Sequence, residues 1–176
     1  MKNNNSSIKP VVAVGIGAAL FFVLGRFVAI PSPVPNTNIS LQYAVLALLA
    51  AMYGPVAGGL IGFIGHTLID LSWGGSPWWS WVIASAFVGV VVGLFSKKLN
   101  LQEDEFSKKQ VAFFALANIV AHLLAWILVA PVLDIAIYAE PVKKVFAQGA
   151  FAAVSNSITA VVVLSLIHIS EPTRRS

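Results

Sequence analysis

Six apolar runs, divided by short polar or proline-rich breaks, take up nearly all of this chain. They leave too few polar residues to surround a water-soluble core. Only 10% of the residues are charged, where a soluble domain carries roughly 25%. A helix needs about 20 predominantly apolar residues to cross a bilayer. The runs are therefore predicted to be spans, over residues 10–30, 39–53, 56–71, 79–95, 111–129 and 142–169. The first stops at PSPVPNTN, the second at Gly54-Pro55 and the fifth at Pro131. Proline withholds an N–H and disfavours continued helix at such points. The second and third spans are short, so they are expected either to be tilted or kinked less than average or to be shielded in part by their neighbours. The absence of an internal repeat argues against an inverted-repeat carrier. The expected fold is all-α, with six transmembrane helices in a single domain over residues 1–169. The closing stretch HISEPTRRS breaks the apolar pattern and reads as a cloning or read-through junction. Residues 170–176 are set aside as a tail, and no role is assigned to His168, Glu171, Arg174 or Arg175.

Lysine and arginine collect at one set of breaks. With the N-terminus inside, the inner segments hold Lys2, Lys9, Lys97, Lys98, Lys108, Lys109, Arg174 and Arg175. The outer segments hold Asp70, Asp134 and Glu140, with Lys143 and Lys144 where the sixth span begins. A basic excess marks the cytoplasmic side. Both termini are therefore expected to be cytoplasmic in a multi-pass cell-membrane protein, with or without the last two arginines. The net charge of +4 then reads as topology and not as nucleic-acid binding. The first run is too long for a signal-peptide core and has no small-residue cleavage site, so it is expected to be a retained helix. The absence of cysteine excludes disulfides, thiolate metal sites and a cysteine nucleophile. The chain has neither a G-x-x-x-x-G-K-[ST] loop nor a G-x-S-x-G elbow, which argues against ATP hydrolysis and serine hydrolysis. The histidine spacing does not favour zinc. No catalytic residue, metal or cofactor is expected on this chain.

Polar side chains inside spans are costly and are functional-site candidates by default. The densest group is GHTLIDLSWGGSPWWSW, residues 65–81. His66 and Asp70 are four apart and share a helical face, which Gly62 and Gly58 continue inward as a surface open to close approach. Asn118, His122 and Trp126 repeat the pattern on the fifth span. Arg26 lies one turn from the outer end of the first span, and Asn36 and Asn38 follow in the loop. The sixth span adds Gln148, Ser155, Asn156 and Thr159. All of these fall toward the outer leaflet, while the inner halves of spans two to four are nearly featureless. Such one-sided polarity suits a pocket open to the outside; a pore would need polar groups along its length. Trp78, Trp79 and Trp81 read first as interface anchors. Trp73 and Trp126 sit nearer the polar faces and suit stacking on a flat ring. His66 can also serve as interhelical glue to Asp70 or a carbonyl. Arg26 can snorkel to headgroups or pair with Asp70 or an acid of the last outer loop.

The stretches PSPVPNTNISLQYAVLALLAAMYGPVAGGLIGFIGHTLIDL and GSPWWSWVIASAFVGVVVGL resemble the substrate-binding S component of an energy-coupling factor (ECF) vitamin transporter. The likeness runs over about residues 8–160 and points to the hydroxymethylpyrimidine-type subgroup. It implies an S component that binds a vitamin or precursor, hydroxymethylpyrimidine or pyridoxine-like. It further implies docking on a transmembrane coupling subunit attached to two ATPase subunits, where ATP is used. In the family a small-residue motif of the first helix contacts the coupling subunit; here that role falls on Ala13, Gly15, Gly17 and Ala19. Family pockets are built from the first loop and the outer parts of later helices, which here means Asn36, Asn38, His66, Asp70, Trp73, Asn118, His122 and Trp126.

Two rival readings use the same residues. A stand-alone proton-coupled carrier would relay protons through Asp70, His66 and Arg26. A non-transporting membrane scaffold would use the polar groups as interhelical bonds only.

Overall fold

A computed structural model describes residues 5–96 and 108–170. Lys2, Lys97, Lys98, Arg174 and Arg175, on which the predicted orientation partly rests, and tail residues 171–176 lie outside the described residues. The helices are α1 (Asn5–Phe27), α2 (Gln42–Tyr53), α3 (Pro55–Ser72), α4 (Trp79–Ser96), α5 (Lys108–Leu123), α6 (Ala130–Tyr138) and α7 (Val142–Ser170). A π-helical segment, Leu124–Val129, joins α5 to α6 in one continuous rod. Four stretches are long and apolar enough to cross a membrane: Ile8–Phe27, Pro55–Ser72, Lys109–Tyr138 and Val142–Val163. The helices Gln42–Tyr53 and Trp79–Phe95 are apolar but shorter.

The short α2 packs against α1, α3, α4 and α7. Its Tyr43, Ala44, Leu46, Ala47 and Ala50 are buried, so protein rather than lipid surrounds most of it. That is how a 12-residue helix persists where backbone must be shielded from hydrocarbon. Gly54, at φ 89°, turns the chain sharply from α2 into α3, and Pro55 occupies the first turn of α3, where its missing N–H costs nothing. The most extensive pairing is α3 with α4. A Cβ on Gly58 would strike the Gly89 carbonyl, and one on Gly89 would strike that of Gly58. The face Gly58–Gly62–His66, open to close approach in the sequence, is thus occupied by α4. On the outside, Val11, Val12, Ile16, Leu20, Val23, Leu94, Leu116 and Leu128 remain exposed. Apolar side chains on the periphery of a bundle suit contact with acyl chains.

The rod does not stop at Pro131, as expected; it continues to Tyr138. Proline within a helix removes one hydrogen bond and crowds the preceding turn. The wider π segment immediately before it absorbs that defect, as local π adjustments do in membrane helices. The consequence is positional: Asp134, expected in a loop, lies within a helix and is buried.

The first loop is also more ordered than its three prolines suggest. Ile30–Pro31 (β1) and Asn38–Ile39 (β2) pair antiparallel, Ile30 opposite Ile39 and Pro31 opposite Asn38. Asn36 takes a left-handed φ of 59° at the tip, a conformation asparagine tolerates better than most residues. Gln148 Nε2 donates to the Pro35 carbonyl at 2.8 Å, and Ser40 Oγ to the Leu24 carbonyl at 3.3 Å. These bonds fasten the hairpin to α7 and α1.

Candidate substrate-binding site

Beneath the hairpin lies a chamber of about 660 Å³. Asn36 and Asn38 reach it from the hairpin, Ile69, Asp70 and Trp73 from the end of α3, and Trp78 and Trp81 from the start of α4. Asp134 of α6, with Glu140, Lys144 and Gln148 around the start of α7, completes the wall. A smaller annex of about 70 Å³ shares Asn36, Asn38, Ile69 and Trp81 with the chamber. It continues among Thr37, Ser40, Gln42, Tyr43, His66, Trp126 and Asn156. The chamber falls in the range of small-molecule pockets, roughly 300–1,000 Å³.

Asp134 organises one wall. Its Oδ1 accepts the Trp78 indole N–H at 2.7 Å and the Ser80 hydroxyl; its Oδ2 accepts the Trp81 indole N–H at 3.0 Å. Charge-assisted bonds of this kind are about twice as strong as neutral ones. Trp78 also stacks on Tyr138, ring centroids 3.9 Å apart, and its backbone N–H donates to Asp70 Oδ2 at 2.8 Å. Trp78 and Trp81 are therefore chamber walls rather than interface anchors. Trp79 keeps the interface character: its ring is exposed, and it lies against Phe63 at 6.1 Å.

The charges around the chamber are unequal. Asp70, Asp134 and Glu140 line it with one lysine, Lys144, which is already held by Glu140 at 2.7 Å. The Arg26 guanidinium sits 3.7 Å over the Trp73 ring, a cation–π arrangement. Among the described residues it forms no ion pair with Asp70. A site walled by carboxylates and indole faces favours a flat ligand that donates hydrogen bonds or carries positive charge.

His66 lies between annex and core. Its Nδ1 is 2.6 Å from Ser85 Oγ, and its Nε2 is 3.7 Å from Asp70 Oδ1. Ser85 Oγ also meets the Tyr43 hydroxyl at 2.8 Å and donates to the Trp81 carbonyl at 2.9 Å.

Of the residues the sequence nominated, Asn36, Asn38, Asp70 and Trp73 line the chamber, and Asn36, Asn38, His66 and Trp126 the annex. Arg26 reaches the site through Trp73. Asn118 and His122 face inward but line neither space; both are fully buried. His122 packs edge-on behind the Tyr43 ring at 5.2 Å, and its Nδ1 accepts the Trp126 indole N–H at 3.1 Å. An indole N–H only donates, so a neutral His122 carries its proton on Nε2. That atom and Asn118 Oδ1 have no partner among the described residues. On α1, Gly15 and Ala19 face outward, whereas Ala13 and Gly17 are buried. A Cβ on Gly17 would come within 2.7 Å of both Leu49 and Ile61.

The chain is similar to other proteins over nearly its whole length. A family model described as "ECF-type riboflavin transporter, S component" matches residues 5–170. A UPF0397 protein of Lactobacillus helveticus is 51% identical over 167 residues, 95% of this chain and 90% of that protein. One from Clostridium perfringens is 51% identical over 170 residues, covering 97% and 91%. One from Streptococcus agalactiae is 53% identical over 156 residues, covering 89% and 86%. The crystal structure of the S component for biotin from an ECF-type ABC transporter superposes with a TM-score of 0.66 at 16% identity, covering 96% of this chain and 94% of that one. That likeness is one of fold. The family match is one of sequence across the whole bundle, and by it this chain belongs to the ECF-type riboflavin transporter S component family, the membrane-embedded substrate-binding subunits of ECF transporters.

Proposed function

We propose that this chain captures a flat, nitrogen-containing vitamin or precursor, of the hydroxymethylpyrimidine or pyridoxine type, from the outer side of the bacterial plasma membrane. It delivers that ligand inward when docked on a coupling subunit that carries two ATPases. The chain itself takes no cofactor and no metal; ATP is spent by its partners. The observation that carries this reading is the chamber, where indoles and carboxylates converge under the hairpin. Indole faces take the ring, and the carboxylates and asparagine amides take its polar substituents. The remainder of the proposal is topological: six passes with both termini cytoplasmic, so that the chamber opens outward. Gly15 and Ala19, one turn apart on the outer face of α1, are the pair that suits close helix packing and are assigned to the coupling subunit. His122 acts indirectly, by holding the Trp126 indole, and Asn118, whose amide donates to the Phe114 carbonyl, acts from behind the site.

Uptake of labelled hydroxymethylpyrimidine and labelled pyridoxine tests this. The proposal expects one of them to enter cells that hold this chain, the coupling subunit and active ATPases. It expects no uptake when the ATPases are inactivated and no loss on adding a protonophore. Uptake by the chain alone, abolished by a protonophore, would establish the proton-coupled carrier instead.

A further inference from the structure

The hydroxyl of Ser85 fixes the protonation pattern of the annex, and with it the kind of group the annex can accept. A serine hydroxyl has one proton to give and two lone pairs to receive. Ser85 Oγ has three partners: the Trp81 carbonyl at 2.9 Å, the Tyr43 hydroxyl at 2.8 Å and His66 Nδ1 at 2.6 Å. A carbonyl oxygen cannot donate, so the serine proton goes to Trp81. Tyr43 must then donate to Ser85, and so must His66 through Nδ1–H. All three bonds are satisfied only in this arrangement.

The other ring nitrogen follows. His66 is buried, and an imidazolium there would need its Nε2–H bonded to the carboxylate at about 2.7–2.9 Å. The gap to Asp70 is 3.7 Å, so the ring is taken as neutral, and with Nδ1 protonated it presents a lone pair on Nε2. Asp70 Oδ1 lies across that gap, and a carboxylate oxygen also only accepts. Its partner oxygen, Oδ2, is already engaged by the Trp78 N–H at 2.8 Å. Two acceptors therefore face each other without a proton between them. They stand where the spaces meet, Asp70 on the chamber and His66 on the annex. Acceptors 3.7 Å apart can both lie about 2.9 Å from one nitrogen, a normal N–H···acceptor length.

We propose that His66 Nε2 and Asp70 Oδ1 form an acceptor pair that selects a planar heterocycle bearing an exocyclic amino group, whose two N–H bonds reach one acceptor each. This rests on the reading of the chamber as the ligand site and narrows it. An aminopyrimidine meets the requirement. Pyridoxine, with hydroxyl substituents and no amino group, does not.

The test uses the purified full chain and three probes, read by tryptophan fluorescence titration: hydroxymethylpyrimidine with its 4-amino group, the same ring with hydrogen at that position, and the 4-oxo analogue. The amino compound is expected to bind about tenfold or more tightly than either, because the analogues leave buried acceptors unpaired. Asp70→Asn retains an oxygen for the Trp78 N–H and turns an amide donor toward His66. That variant is expected to lose the preference for amino and to gain affinity for oxo. Equal affinity for the amino and hydrogen compounds would overturn the acceptor pair while leaving the chamber as the ligand site. Tighter binding of the oxo analogue by the unmodified chain would overturn it too, since His66 would then be presenting a proton. If none of the three binds and pyridoxine does, the amino selection fails and the chamber assignment stands. If neither these probes nor pyridoxine binds, both readings fail.

Discussion

Asp134 and Trp78 meet through a 2.7 Å hydrogen bond from the indole N–H to Oδ1, although one lies on α6 and the other at the start of α4. The same carboxylate holds Ser80 and Trp81. A single side chain thus sets the position of two aromatic walls. Asp134→Ala is expected to leave both indole N–H groups without an acceptor, at about 1–3 kcal/mol for each that stays buried and unpaired. Thermal unfolding in detergent should shift down, and ligand affinity should fall about tenfold or more. Asp134→Asn keeps one acceptor oxygen and should fall between the two. Unchanged affinity in the alanine variant would remove Asp134 from the site.

Close approach of α3 and α4 predicts a sharp contrast among glycines. Gly89→Val should reduce the folded yield and Tm, because even a Cβ meets the Gly58 backbone. Overpacking of this kind costs about 1–3 kcal/mol or more. Gly15→Ala should keep or slightly raise Tm, since a Cβ there meets nothing within 4 Å and alanine is the better helix former. Thermal scans of both variants check the contrast.

Ala139 closes α6 in a left-handed conformation, φ 53°. An L-residue with a Cβ pays roughly 1–2 kcal/mol for that region, and glycine is the usual occupant of such a position. Ala139→Gly is therefore expected to raise Tm, offset in part by the greater freedom of glycine in the unfolded chain. A lowered Tm would mean that the alanine methyl makes compensating contacts.

The outward pair on α1 separates docking from binding. Gly15→Trp or Ala19→Trp should abolish co-purification with the coupling subunit and uptake, and leave ligand affinity within about twofold. Gly17→Trp should instead disrupt folding, because Gly17 is packed against Leu49 and Ile61. Intact assembly in both outward variants would move the docking face elsewhere.

Much of this arrangement was legible in the sequence for local reasons. His66 and Asp70 are one turn apart on any helix, and Asn36, Asn38 and Trp73 stand in breaks at the same end of the bundle, so their convergence follows from topology. Asp134 was not legible. Proline at 131 read as a stop, and the π segment that lets the rod continue has no sequence signature of its own. A signal did exist in the apolar residues Val132, Leu133, Ile135 and Ile137 around Asp134, which continue the helix across the proline. Trp78 and Trp81 read as interface anchors because indoles at the outer end of a span suit that role, and what turns them into walls is the Asp134 carboxylate on another helix. Asn118 and His122 were placed on the correct inward face, but sequence cannot show that Tyr43 stands between His122 and the annex.

The chamber under the hairpin is proposed to bind a small flat ligand. The most direct measurement is mass spectrometry of what the detergent-purified chain releases on denaturation, followed by titration of that compound with tryptophan fluorescence as the readout. A stoichiometric nitrogen heterocycle is expected, with a large fluorescence change that is reduced when Trp78 or Trp81 is replaced by phenylalanine. No released compound, and no response to hydroxymethylpyrimidine, pyridoxine or riboflavin, would contradict it.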